Sequence, residues 1–537
     1  MNSFADRADR RHGSNDASNA RRDKTDLIPS RVIPPSIASQ QEQALQYTLT
    51  GDIETSCSLY ETIYHTIINR EDQHQHRHQA PLWLVDLVTA DYCQLLELCC
   101  QHELAISILQ NMISKYTVLP HLPSLCSILL FKLLFTSPTI NSEMWTSLHE
   151  LMPLFQTKTK TKKHASSLKS STDHNDDNDV MKEDKTKQLR VMYKSHWSYV
   201  TMITELFKRE KRLSTHLQLV PPRKSLATDS TTTTTTTTTE AKTEPPENST
   251  TVWNESKTTN QQSSTSLFFI GDSHIVTFAR RRFLGRVPMT YLTTGLKAWH
   301  VGARVNPPTF FTGANFQKSC RQIKKQIQIN KNKYENESGG LNGSEEKKYC
   351  FDVVISCGEI DCREGFSNAI QKGVYQNDEE AIQTTVHLYV QKLWNIFTQE
   401  EEEEEDALKD AKDHDMDLNL DLVCGVYVLP VFPLEKKGRN GQDEKLKRIH
   451  RIHLWNKTLE HEIHERNKKH EMCERRDCLC CHGKKRVFVF LKVDEERICK
   501  KDESGELSVY LKDELTLDGT HVNAKIIPYV EQAMVQV

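Results

Sequence analysis

Apolar positions along the chain follow two regimes that change near residue 265. From Gln41 they recur at helical spacing. Ala44, Leu45, Tyr47 and Leu49 precede Gly51-Asp52, and Ile53, Cys57, Tyr60, Ile63, Tyr64 and Ile67 follow, which predicts a helix, a tight turn and a second helix. The plan repeats in residues 83–100 and 103–113, then in 122–135 and 144–155, and residues 188–213 supply a closing helix through Val191, Met192, Trp197, Val200, Ile203 and Phe207. Beyond Leu267 short apolar runs alternate with helical segments. Strands are predicted at 267–270, 289–293, 352–356, 422–429 and 487–491, and helices at 275–283, 316–329, 379–397, 445–468 and 523–534. Alternation of this kind implies a mainly parallel sheet covered on both faces, with its active site beyond the carboxyl ends of the strands.

The expected organisation is therefore an all-α domain at 41–217 and a three-layer α/β domain at 265–537. The segments G-D-I-E-T-S-C-S-L-Y-E-T-I and Q-H-E-L-A-I-S-I-L-Q-N-M-I place small residues, Ser56 and Ala105, at corresponding points, and resemble second helices of tetratricopeptide-like repeats. Their spacing exceeds the period of about 34 residues typical of that repeat, with a polar insert holding His74, His76 and His78 between them. The resemblance implies a peptide or protein partner at the repeats. Those three histidines are a candidate metal site, but with no Cys or acid at fixed spacing a solvated loop is the preferred reading.

Composition accounts for the rest of the length. Residues 1–40 read as a disordered tail, and 218–264, with Pro221-Pro222, nine consecutive threonines at 231–239 and Pro245-Pro246, as a disordered linker. Insertions are expected at 330–348, at 399–421 with six consecutive glutamates from Glu400 to Glu405, and at 470–485. A Lys-Thr stretch inside 157–187 is read as a flexible insertion in preference to a nuclear address or a phosphate contact. These tracts explain why only 37% of the chain is hydrophobic. A net charge of -3 gives no general argument for nucleic acid or anionic membrane as partner. No run reaches the length of a membrane span, and the first 24 residues lack the apolar core of a signal peptide. Fifteen cysteines, scattered through apolar segments, fit buried thiols in a reducing compartment, so a cytoplasmic protein is expected.

Three chemically loaded segments sit at predicted strand ends. The first is G-D-S-H after residue 270, where a strand-to-helix turn would hold Ser273 at the sheet edge with its N–H at the positive end of a helix. Either Asp272 or Ser273 could instead be a plain helix cap. The second is G-E-I-D-C-R, residues 358–363, and the third D-G-T-H, residues 518–521. In the third, a carboxylate and an imidazole three residues apart can orient one another across a turn, although D-x-x-H alone would read as a cap and a surface histidine. His274, Trp299 and His300 flank the turns and read as structural or pocket-lining residues.

Together the G-D-S and D-x-x-H blocks resemble the SGNH or GDSL hydrolase superfamily, over roughly residues 266–537. The resemblance implies Ser273 as nucleophile, His521 as base and Asp518 as its orienter, with no metal or organic cofactor. It implies Gly295, with Gly302 as second choice, as the glycine whose N–H joins that of Ser273 in an oxyanion hole, and Gly358 as the start of the third block. There the family's G-x-N-D becomes Gly358-Glu359-Ile360-Asp361, and Ile360 has no donor to replace the asparagine. Losing one such donor typically costs about 10²- to 10³-fold in rate. Arg363, two residues beyond Asp361, either aims its guanidinium at the site or pairs with Asp361 or Glu359 to hold the loop.

Cys473, Cys478, Cys480, Cys481 and His482 run as C-x4-C-x-C-C-H and could close on zinc, but the spacing matches no standard paired motif, and a free-thiol loop is preferred. The expected activity is hydrolysis of acyl esters, O-acetyl groups on a carbohydrate or small molecule among them, through an acyl-enzyme. An acyltransferase using the same serine and a non-catalytic scaffold with a degenerate SGNH domain are the alternatives.

Overall fold

The computed structural model describes residues 35–49, 53–73, 82–99, 101–115, 124–138, 141–155, 194–222, 266–302, 311–338, 351–398, 423–433, 442–474, 487–501, 507–517 and 521–537. The predicted 399–421 insertion, His74, His76 and His78, the 157–187 stretch and the threonine run all lie outside these residues.

Among the described residues, the N-terminal unit is helical: α1 (Pro35–Leu49), α2 (Ile53–Gln73), α3 (Leu82–Leu98), α4 (His102–Lys115), α5 (Leu125–Thr136), α6 (Ser142–Phe155) and α7 (Lys194–Glu210). The first helix begins inside the expected tail, because a proline at the first helical position sacrifices no hydrogen bond and presets the backbone angle. Helix α5 is buried around its whole circumference. Its sequence, L-C-S-I-L-L-F-K-L-L-F-T, has no polar face to give to water, and that makes it the central helix of the unit.

The C-terminal unit is a five-stranded, wholly parallel sheet in the order β2-β1-β3-β4-β5. Its strands are β1 (Ser266–Gly271), β2 (Met289–Leu292), β3 (Phe351–Ser356), β4 (Val423–Val428) and β5 (Val487–Phe490). Between and after them come α8 (Ala298–Gly302), α9 (Phe311–Ser338), α10 (Phe366–Gln371), α11 (Asp378–Thr398), α12 (Gln442–Glu474) and α14 (Ile527–Val535). A short helix, α13 (Glu495–Ile498), leads into an antiparallel pair, β6 (Cys499–Lys501) and β7 (Leu507–Leu511), which the apolar pattern did not predict. This is a parallel α/β sheet flanked by helices, as the alternation implied.

Side-chain alternation along β1 sorts the two faces. Phe268 and Ile270 join a core with Phe316 of α9, Tyr389 of α11 and Trp455 of α12, while Leu267 and Phe269 join a second core with Ile527 and Val530 of α14. That second core runs without a break into the helical unit, through Phe131, Phe135, Val200 and Ile203. The two units therefore share one hydrophobic core, a union that the expectation of two domains on a linker did not contain.

Several expectations are corrected. Residues 275–283 are not a helix: a 3-10 turn spans Ser273–Thr277, after which the chain bends back, with Arg280 and Leu284 at positive φ of 60° and 48°. The reason is the destination of the two arginines. Arg280 donates to the carbonyls of Phe135, in the last turn of α5, and of Ser137, just past it, and Arg281, with no exposed surface, donates to the Leu217 carbonyl and, at 3.0 Å, to the Glu210 carboxylate. Residues 218–222, assigned to the linker, lie against this bend, with Val220 N–H donating to the Arg280 carbonyl at 2.7 Å. The insertion predicted from residue 330 begins later, because α9 continues to Ser338, and α12 extends through Glu474 into the expected Cys-rich insertion.

At the seam between the units, Arg281→Leu would leave the Leu217 carbonyl without its side-chain donor and the Glu210 carboxylate without its charge partner, with only the Leu219 N–H still donating to it, at a cost of about 3–5 kcal/mol. Urea unfolding of the full chain checks this, and an unchanged midpoint would show that the seam does not depend on the guanidinium.

Candidate functional site

The site lies where β1, β2 and β3 end. Sheet order reverses direction between β2 and β3 around β1, and such a switch point opens a crevice beyond the strand ends. At Asp272 the chain leaves β1 and turns. Its N–H donates to the Ser356 carbonyl at 3.1 Å, and its carboxylate accepts from the His274 N–H at 3.0 Å, capping the 3-10 turn. The cap role falls to Asp272, which leaves the hydroxyl of Ser273 available.

His521 meets that hydroxyl. Its Nε2 lies 3.0 Å from Ser273 Oγ, across 248 residues of sequence. The segment carrying His521 is fixed on both sides: Leu517 N–H donates to the His521 carbonyl at 2.8 Å, Asn523 N–H donates to the Leu515 carbonyl at 2.7 Å, and Thr277 Oγ1 donates to the Val522 carbonyl at 2.7 Å. Asp518 lies outside the described residues.

Gly295 sits in the turn after β2 with φ 73°, a conformation that suits glycine. Its loop is tied to β1 by the Thr293 N–H, which donates to the Gly271 carbonyl at 2.7 Å. Gly302 closes α8 instead. Gly358 follows β3 with φ 111°, and a Cβ there would meet the Trp455 indole at 2.7 Å, so the glycine lets α12 pack against this loop.

The third block is organised by charge. Glu359, almost fully buried, pairs with Arg448 of α12 at 2.9 Å and with Arg363 at 3.0 Å, and Arg363 also reaches Glu364 at 3.4 Å. Of the two readings of Arg363, the structure displays the loop-holding pair, with Glu359 and not Asp361. Burial alone would lower the Arg363 pKa, but Glu359, Glu364 and the Asp272 carboxylate override it and hold the guanidinium charged. Asp361 points the other way, accepting the Ala298 N–H at 2.8 Å and so binding the third block to the loop that carries Gly295. Burial pushes its pKa up to about 7, against the pull of that N–H and of Lys297.

His274 is buried beside the Asp272 carboxylate, with its ring 5.6 Å from that of His521. Burial would lower its pKa, but Asp272 raises it above the usual histidine value. The Trp299 ring lies 4.3 Å from that of His300, tilted at 59° to it, and burial together with Lys297 drives the His300 pKa down to about 3. Two cysteines flank the third block, Cys357 and Cys362, but burial raises both thiols far above neutral pH and leaves them unreactive.

Among the described residues no group of His, Cys, Asp and Glu could hold a metal ion. Cys478, Cys480, Cys481 and His482 lie outside them, as does the side chain of Cys473.

The sequence reading missed the contribution of the helical unit. Lys132 of α5, fully buried, donates to both oxygens of Glu97 at 2.6 and 2.9 Å and to Thr294 Oγ1, next to Gly295, at 2.9 Å. The ring of Tyr199 of α7 lies 5.1 Å from the Lys132 ammonium. Arg209 of α7 donates to the carbonyls of Thr516 and Leu517, both at 2.8 Å, on the approach to His521. A signal was present: Lys132 is the one charge in an otherwise apolar helix, and a charge in such a run needs a buried partner.

Compared with known proteins, the chain matches no family, no curated protein and no solved structure.

The raised Asp361 carboxyl sets a pH dependence. An unfolded aspartate loses its proton near pH 4, whereas the folded one keeps it to about 7, so folding stability falls as pH rises across that window and is level above it. Asp361→Asn, whose amide oxygen can still accept from Ala298, should flatten that part of the profile, by roughly 3–4 kcal/mol between pH 4 and 7. Urea midpoints at intervals across the window measure it, and an identical slope in the variant would contradict the assignment.

Proposed function

We propose that this chain is a serine hydrolase of the SGNH type, acting on acyl esters. The observation that carries this reading is the 3.0 Å contact between Ser273 Oγ and His521 Nε2 at the carboxyl ends of a parallel sheet. A hydroxyl is a poor nucleophile at neutral pH, and an imidazole nitrogen within hydrogen-bond distance is the group that activates it. The strand order 2-1-3-4-5 is also that of doubly wound sheets whose ligands sit at the β1–β3 switch point, where Ser273 stands.

In the proposed reaction Ser273 Oγ attacks the ester carbonyl while His521 Nε2 takes its proton. The tetrahedral oxyanion is held by the N–H groups of Ser273 and Gly295. His521 then returns the proton to the leaving alcohol, and the acyl group stays on the serine. Water, deprotonated by the same imidazole, releases the acid. Asp518, three residues before His521, takes the orienting role in this scheme. The resemblance suggests O-acetyl groups on a carbohydrate or small molecule as substrates.

Ile360 stands where the family has an asparagine donor, and Arg363 is held by Glu359 and Glu364, so the proposed hole has two backbone donors and the expected turnover is slow by about 10²- to 10³-fold. The same residue favours a second reading, a binding protein with a degenerate hydrolase domain.

Hydrolysis of p-nitrophenyl acetate by the full chain separates the two. Wild type should turn over, and Ser273→Ala and His521→Ala should each lose at least about 10³-fold in kcat while keeping the wild-type unfolding midpoint. Turnover that survives in both variants, or is absent from wild type, would favour the binding protein.

A further inference from the structure

We propose that the helical unit is part of the active site, with Lys132 acting through Thr294 as a positioning residue for the Gly295 N–H. This inference rests on the hydrolase reading above and assigns that site a component from outside the α/β fold.

Within its own unit the loop between β2 and α8 is anchored by Leu296, buried in the sheet core, whose N–H donates to the Thr293 carbonyl at 3.3 Å. It is tied at one end by the Thr293 N–H on the Gly271 carbonyl and at the other by the Ala298 N–H on Asp361, at 2.7 and 2.8 Å. Between these ties stands Gly295, with φ 73° and no heavy atom within 4 Å of where a Cβ would sit. An oxyanion donor displaced by even a fraction of an ångström loses most of its value. Thr294, the residue before Gly295, adds a restraint from outside the α/β unit. Its hydroxyl oxygen accepts from the Lys132 ammonium at 2.9 Å.

That partner is itself held on every side. Lys132 has no exposed surface, its ammonium is gripped by both Glu97 oxygens, and Tyr199 is 5% exposed with its ring beside that ammonium. Burying an ion pair is costly, and a methionine or leucine at residue 132 would fill the same space more cheaply. A fully buried pair whose remaining donor reaches the candidate oxyanion loop is what a positioning role requires. Arg209 of the same unit holds the Thr516 and Leu517 carbonyls ahead of His521. The helical unit thus restrains the loop after β2 and the segment that leads to His521.

The test uses the full chain and a fluorophosphonate probe, whose reaction with Ser273 forms a tetrahedral phosphorus adduct and draws on the same oxyanion donors. Thr294→Val keeps the shape and removes the hydroxyl, and Thr294→Ser restores it. The expected result is a fall of about 10- to 100-fold in labelling rate and in kcat for Thr294→Val, with KM for p-nitrophenyl acetate within about threefold of wild type. Thr294→Ser should recover to within about threefold of wild type. A residue that merely stabilised the fold would lower the unfolding midpoint without this split between kcat and KM and without rescue. Should Thr294→Val fail to fold, Lys132→Met combined with Glu97→Gln, which removes the buried pair and the donor to Thr294, gives the same reading. Labelling at the wild-type rate in a folded Thr294→Val or Lys132→Met/Glu97→Gln chain overturns the proposal while leaving Ser273 as nucleophile. Failure of wild type to label overturns the hydrolase reading and this inference with it.

Discussion

One face of the parallel sheet is covered in the usual way, by helices inserted between its strands, and the other face shares its core with the N-terminal helices. Leu267 and Phe269 of β1 belong to the same continuous cluster as Phe131 and Phe135 of α5. Everything else about the molecule depends on that shared core. Ser273 follows β1 directly, so the hydrophobic contact that seats β1 against the second layer also fixes the turn on which the serine stands. The imidazole that meets it comes from a segment tied both to the 3-10 turn, through Thr277, and to α7, through Arg209. Two groups 248 residues apart in sequence are held at hydrogen-bond distance because the surfaces around them have no other place to be buried.

Charge performs the fine alignment where apolar contact cannot. Three buried or nearly buried cations, Lys132, Arg280 and Arg281, cross the seam between the units, and each ends on a carbonyl, hydroxyl or carboxylate of defined position. Such groups contribute little net stability, because desolvation offsets most of the attraction, but a mispaired arrangement is penalised heavily. The result is a seam with one favoured register. Within the α/β unit Glu359 plays the same part, gathering Arg363 and Arg448 around the third loop, while Asp361 ties that loop to the one that carries Gly295.

Much of this was legible in the sequence. The strands announce themselves as short apolar runs such as L-F-F-I, since a strand buried on both faces has no polar alternation, and the helices flanking them show ordinary periodicity. Ser273 and His521 were legible because chemistry restricts residue type and spacing together. The segment after Ser273 was not, because Ile275, Val276, Phe278 and Phe283 carry the composition of a helix while Arg280 and Arg281 pull the backbone out of it toward partners that lie far away in sequence. The union of the two units was invisible for a similar reason. A helix buried on every side, such as α5, does not say in its sequence which neighbour buries it. Lys132 was the residue that hinted at one, and only the fold shows that its third contact is Thr294.

The central claim is that Ser273 is the nucleophile, and the most direct measurement is to map where a fluorophosphonate attaches. After treatment of the full wild-type chain and digestion, mass spectrometry should find a single modified peptide, with the phosphonyl group on Ser273. An adduct on another residue, or an unmodified Ser273 after exhaustive treatment, would contradict the account.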